Sequence, residues 1–257
     1  MRINKQKGFT LVEIAIVLVI IGLLLGGILK GQELISSARV RNLADQNSGV
    51  QAAYYGFIDR YRQVPGDWLF TSASQAMGVT VNLPTAVAGV TGNGRIDNTL
   101  IEGAAVWEQL AKSNFLGGGF TPAAAAPTAA TYPTVAPTNA FNGPLVLTRN
   151  DGYSGTAANR LNLHMGRNVP VSIARELDVK VDDGLPHTGV LRLSTADGSA
   201  TAFDATEFAF AASASIVRCA TANTTTAPGT TDGAVGTLTQ IYDIFDDAQD
   251  CPQVFLY

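Results

Sequence analysis

Side chains able to do acid–base, nucleophilic or metal chemistry are sparse in this chain of 257 residues. The two histidines, His164 and His187, are far apart, and neither has a cysteine or an acid at the spacing of a zinc site, so a solvated or structural role is expected for both. No nucleophile elbow, phosphate loop or dinucleotide fingerprint occurs. Gly92-Asn93-Gly94-Arg95-Ile96-Asp97 is too short a cue and follows no strand-to-helix context. Oxygen-rich groups at Asp97-Asn98, at Asp182-Asp183 and at Asp243, Asp246, Asp247 and Asp250 carry ligand types that suit calcium, but they lack the EF-hand pattern. They read better as turn formers or solvated loop acids. The expectation is a protein that is not an enzyme and has no resident cofactor, calcium being the alternative.

One carboxylate is out of place. From Leu11 to Leu29 every residue is apolar or glycine except Glu13, and nineteen such residues can cross a hydrocarbon layer of ~30 Å as a helix. An acid at the centre of a membrane helix costs roughly 2.5–3.5 kcal/mol, and less near an end, so Glu13 needs a partner or a task. Arg2, Lys5 and Lys7 precede the run and Lys/Arg is sparse just after it, which puts the N-terminus in the cytoplasm and the rest beyond the inner membrane. An ordinary secretory signal fits poorly, because Gly26-Gly27 is followed by Ile28, Leu29 and Lys30 with no small-residue cleavage pattern. A plain uncleaved anchor would leave Glu13 unexplained.

Composition agrees with export. Charged residues are only 15% and the formal charge is −4; without Arg2, Lys5 and Lys7, 14 basic residues face 21 acidic ones, a balance of −7. No basic patch suggests nucleic acid as a partner. Both cysteines, Cys219 and Cys251, fall in the exported part, where an oxidising compartment favours a disulfide over two separate buried thiols. Closing a loop of that size is worth roughly 3–4 kcal/mol on chain-entropy grounds.

Beyond the apolar run, Val40, Leu43, Asn47, Val50, Tyr54, Phe57 and Tyr61 recur at steps of three and four, one stripe of a helix. A helix from Phe9 to Tyr61 would be about 80 Å long, with Pro65-Gly66 to stop it. Its second half needs a globular partner for the stripe; its first half has nothing of its own chain to hide against. Thr99-Leu100-Ile101-Glu102 has capping-box spacing and opens a second helix through Leu100, Ala104, Trp107, Leu110 and Ala111, running until Gly117-Gly118-Gly119. Thr121 to Asn139 is rich in Pro, Ala and Thr and reads as an exposed loop, a bare surface rather than a glycosylated one. Pro170 to Leu177 makes a helical turn or two, and Val190 to Leu193 and Ala202 to Val217 contain alternating stretches that read as antiparallel strands.

The stretch Lys7-Gly8-Phe9-Thr10-Leu11-Val12-Glu13 resembles the processing motif of type IV prepilins and of type II secretion pseudopilins. The resemblance implies cleavage after Gly8 by a membrane-embedded prepilin peptidase, N-methylation of the new terminus Phe9, and assembly through Glu13, the acid fifth from that terminus. It covers roughly the first 60 residues, with looser echoes in Arg60-Tyr61-Arg62-Gln63-Val64-Pro65-Gly66-Asp67 and in Val181-Asp182-Asp183-Gly184-Leu185-Pro186-His187-Thr188-Gly189. Many pilins carry a proline where Lys30 stands, which leaves Gly22, Gly26, Gly27 and Gly31 as the helix-weakening residues of this segment.

The expected architecture is therefore α+β and pilin-like: a long N-terminal helix, apolar and then amphipathic, packed against a mostly antiparallel sheet. Its parts are a leader at 1–8, a membrane and filament-core half-helix at 9–35, an amphipathic half-helix at 36–62 and a globular domain at 63–257. The end of that domain is bounded, as pilins often are, by a disulfide. The expected partners are other pilin-like subunits in a homo- or hetero-oligomeric filament, the peptidase and the inner membrane, with periplasmic or cell-surface placement after assembly. Pilus, secretion pseudopilus and DNA-uptake filament stay open, as does major or minor subunit. The rival reading is a monomeric, membrane-anchored binding or adhesive module.

Overall fold

The computed structural model describes residues 10–82, 92–122, 132–156, 158–194, 219–222, 240–245 and 248–257. Gly8 and Phe9, the strands expected within Ala202 to Val217, and the acids Asp246 and Asp247 lie outside the described residues. The chain divides into two compact units, Met1–Arg39 and Val40–Tyr257.

Helix α1 runs over Leu11–Tyr61. In the first unit it is the described helix long and apolar enough to cross a membrane, and its large side chains from Leu11 to Leu29 are all exposed. In the second unit the same element buries Val40, Leu43, Val50, Ala53, Tyr54 and Phe57, the stripe that the periodicity marks. It ends where Arg62 turns left-handed at φ 55°, three residues before Pro65.

The rest of the second unit is α+β. After α2 (Phe70–Met77) and α3 (Leu100–Lys112) come β1 (Val146–Asn150), β2 (Arg160–His164), α4 (Val171–Val181) and β3 (Leu191–Leu193). Then follow β4 (Ala220–Ala222), β5 (Gln240–Tyr242) and β6 (Gln253–Leu256). One antiparallel sheet has the order β1-β2-β6-β3, and β4 and β5 form a separate hairpin pair. Register places Leu147, Leu163, Phe255 and Leu191 in one cross-strand row, all buried in the same core as Phe57, Trp107 and Leu43. Such rows of facing side chains are what hold a sheet in register. The last residue closes the unit onto its helix: the Tyr257 hydroxyl donates to Asn47 Oδ1 at 2.8 Å.

Three expectations need correction. The second helix stops at Lys112, short of the glycines, because Asn114 adopts φ 63° and ends the ladder first. The segment Thr121 to Asn139 is not all exposed loop: Val135, Ala136 and Asn139 are buried, and Asn139 staples its turn by accepting from the Phe141 and Gly143 N–H groups while donating to the carbonyls of Met165 and Arg167. Helix α4 extends to Val181, a turn beyond Leu177, because Leu177 and Asp178 both find buried sites. Of the two roles expected for the histidines, solvated or structural, both take the buried, structural one. His164 is buried between Asn150 and Ser194, and burial pushes its pKa down to about 3, so the ring is a neutral hydrogen-bonding spacer.

Candidate functional site

The first candidate is the start of α1. Thr10 and Glu13 form a reciprocal capping box. The Thr10 N–H and hydroxyl each donate to Glu13 Oε2 at 2.8 Å, and the Glu13 N–H donates back to Thr10 Oγ1 at 3.3 Å. Orphan amides at a helix start are thereby satisfied, and the carboxylate sits at the positive end of the helix dipole. This answers part of why an acid can stand in an apolar run. Reasoning on the membrane cost singled out Glu13 but missed Thr10, although Thr10-x-x-Glu13 has the same spacing that marks Thr99 and Glu102.

Beyond it the half-helix presents no polar side chain until Lys30, which pairs with Glu33 at 2.6 Å in an exposed i,i+3 bridge. Gly22, Gly26, Gly27 and Gly31 lie within continuous helix, so the absence of proline at Lys30 goes with an unbroken ladder here. Among the described residues of the first unit, nothing resembles a ligand pocket with converging polar groups. What it can do chemically is offer apolar area and one carboxylate near its end.

In the second unit, the Pro65-Gly66-Asp67 echo has a structural task. Gly66, at φ 91°, lies so close to α3 that a Cβ there would meet Val106 Cγ2 at 2.5 Å and the Glu102 carbonyl at 2.6 Å. Gln109 locks the seat, accepting from the Gly66 N–H at 2.8 Å and donating to the Trp68 carbonyl at 2.9 Å. Asp67 in turn accepts from the backbone N–H groups of Asn93 and Gly94, which makes Gly92 to Asp97 a loop clamped by an acid rather than a phosphate cradle. Thr99 caps α3 as its spacing predicts, accepting from the Glu102 N–H at 3.2 Å. The Glu102 carboxylate goes instead to the Asp97 N–H at 2.6 Å.

The acids Asp178, Asp182 and Asp183 offer oxygens within 4.8 Å of one another. Each is committed to the chain's own donors. Asp178 accepts from Tyr242 and the Gly184 N–H, Asp182 from the N–H groups of Val190 and Leu191, and Asp183 from the Leu185 N–H and the Thr188 hydroxyl. Burial pushes Asp178 up to about 6, against the pull of its two hydrogen bonds. The Asp182-Asp183-Gly184 echo is thus a turn written in carboxylate-to-amide bonds. Asp97 similarly pairs with Arg95 at 2.7 Å, and Asp250 with Arg167 at 3.3 Å. Cys219 and Cys251 are bonded to each other, with Cα atoms 5.6 Å apart. The Asp250 carboxylate also holds the Asn168 N–H at 2.9 Å beside that bond.

Comparison with known families finds the prokaryotic N-terminal methylation motif over residues 3–29, the prepilin-type motif of type IV pilins and pseudopilins. Comparison with curated proteins and with solved structures finds no match. The motif covers the first part of α1 and is similar to the start of pilin- and pseudopilin-like precursors; with the apolar α1 it fits membrane anchoring.

Proposed function

We propose that this chain is the precursor of a filament subunit, of a type IV pilus or a type II secretion pseudopilus, cut after Gly8 by a prepilin peptidase, methylated at Phe9 and polymerised through the first half of α1. The observation that carries this reading is the helix from Leu11 to Leu29, which exposes large apolar side chains on every side and starts inside the methylation motif. Such a surface is stable only in lipid or against other copies of itself, at roughly 25 cal/mol per Å² removed from water. Parallel subunits would exchange the first solvent for the second and keep their α+β units outward. The protein would wait in the inner membrane with its leader in the cytoplasm, and stand in a periplasmic or surface filament afterwards.

Glu13 is assigned to docking. Cleavage creates an α-amine at Phe9 with an ordinary pKa of about 7.7–8.0, largely cationic at neutral pH and still basic after methylation. The Glu13 carboxylate, held by Thr10 in the single chain, pairs with that amine on a neighbouring subunit. The pair sets register: apolar side chains slide past one another at little cost, whereas an unmatched buried charge costs several kcal/mol.

Mass spectrometry of the assembled protein should give a mature start at Phe9; an intact Met1 or a later start removes the processing step. Glu13→Gln and Glu13→Leu should lose their leader and insert normally, yet be nearly absent from sheared filaments formed alongside wild-type protein. Equal incorporation of both variants refutes the charge pair. Wild-type protein that is processed but never found in sheared filaments is instead a monomeric anchored module.

A further inference from the structure

Tyr242 touches the segments of both cysteines. In the β4–β5 hairpin Ala220 pairs with Tyr242, so the tyrosine lies opposite the residue that follows Cys219, and the next amide, Asp243 N–H, donates to the Cys219 carbonyl at 3.0 Å. Its hydroxyl reaches the other way. It donates to Asp178 Oδ2 at 2.7 Å and accepts from Gln253 Nε2 at 3.0 Å. Gln253 is the second residue after Cys251 and also donates to the Ala174 carbonyl of α4 at 2.7 Å. Asp178 is itself fixed by the Gly184 N–H at 3.0 Å. All three side chains are buried, so the chain of bonds from Asp178 through Tyr242 to Gln253 lies where water competes least.

We propose that Tyr242, anchored by Asp178 and Gln253, is a positioning residue for the disulfide: it seats the hairpin so that the thiols of Cys219 and Cys251 are adjacent before they are oxidised. The two cysteines are 32 positions apart, and in a chain with no other link their encounter carries the loop-closure cost of that separation. A buried side chain that grips one segment through the ladder and the other through its hydroxyl removes most of that cost in advance and raises the effective concentration of one thiol at the other. Oxidation by a small disulfide such as oxidised glutathione proceeds by two exchanges. The first thiolate attacks the oxidant and releases one reduced thiol. The second then attacks the mixed disulfide, releases another, and leaves the Cys219–Cys251 bond. Two protons and two electrons pass from the pair to the oxidant.

The test is the redox equilibrium of the full-length protein in detergent micelles, over a series of reduced-to-oxidised glutathione ratios, with free thiols trapped by alkylation and counted by mass. Tyr242→Phe keeps the ring and removes only the hydroxyl. Its equilibrium constant for bond formation should fall about tenfold, which for this two-electron couple is a potential ~30 mV less negative. Gln253→Leu, which cuts the same link from the Cys251 side, should shift it in the same direction and supplies the reading if Tyr242→Phe does not fold. Tyr257→Phe is the control. It loses a part-buried phenol bond of 2.8 Å, to Asn47 of α1, that does not join the two cysteine segments, and should leave the potential unchanged. A wild-type potential in Tyr242→Phe and Gln253→Leu, or an equal shift in Tyr257→Phe, overturns the proposal.

Discussion

One helix serves two kinds of surroundings. In the first unit the large apolar residues of α1 are 46–90% exposed from Leu11 to Leu29, whereas in the second unit Leu43 and Phe57 of the same element are fully buried. The sequence patterns differ accordingly. The first half is apolar on every face and finds no cover among the described residues of its own chain. The second is apolar on one stripe and takes its stability from a core that its own chain supplies. The lesson is that the two halves should answer different experiments: one is blind to folding of the α+β unit, the other blind to the membrane.

The largest expected effect separates them directly. Both tryptophans, Trp68 and Trp107, belong to the second unit, so their fluorescence reports only its unfolding. Phe57→Ala should lower that unfolding free energy by about 3–5 kcal/mol, the range for a large aromatic removed from a close-packed core. Leu24→Ala should change it by less than about 0.5 kcal/mol, as for an exposed side chain outside that unit. Equal losses in the two variants would break the comparison.

A pH experiment sharpens it on the side of the second unit. Asp178 has its pKa raised to about 6 from 3.8, chiefly by burial, so the folded state binds its proton more readily than the unfolded chain does. Its stabilising contribution is complete below about pH 4 and is lost as pH rises through about 6. His164 runs the other way: lowered to about 3 from 6.5 by burial, it costs stability as pH falls below about 6.5. The two slopes oppose each other, so the measurement is a difference. Going from pH 7 to pH 4, wild type should gain on the order of 2 kcal/mol relative to Asp178→Asn by denaturant unfolding. A difference that is flat or falls over that window would show that the Asp178 site does not favour its proton.

The smallest effect concerns helix starts, one in each unit. Thr99→Ala removes the cap that receives the Glu102 N–H and should cost about 1 kcal/mol of second-unit stability in the same fluorescence melt. Thr10→Ala removes the equivalent group from the other box and should leave that melt unchanged. A loss with Thr10→Ala as large as that with Thr99→Ala would mean the two units do not unfold independently.

Some of this was legible before any fold was known. The exposed half of α1, the buried stripe from Val40 to Phe57, the Thr99 cap, the Cys219–Cys251 pairing and the methylation motif are local or compositional signals, fixed by residue type and by a period of 3.6. Helix α2 and the strands β1, β2 and β6 escaped notice. The apolar residues of β2 and β6 are interrupted by Asn162, His164 and Gln253, which look like surface residues until the register shows them buried and hydrogen-bonded. The Asp182-Asp183-Gly184 acids were read in part as a calcium option because ligand chemistry is visible in a sequence, whereas the amides that occupy those oxygens are not.

By itself, the sequence determined that an apolar span follows a basic N-terminal stretch, which fits membrane anchoring, and a single acid in such a span is conspicuous because charge is costly in apolar surroundings at any tertiary arrangement. Only the tertiary structure decided what each polar group in the second unit is for. A buried Asp178, Gln253 or His164 is tolerable only if partners distant in sequence arrive within about 3 Å, and that meeting depends on sheet order and register, which no local pattern encodes.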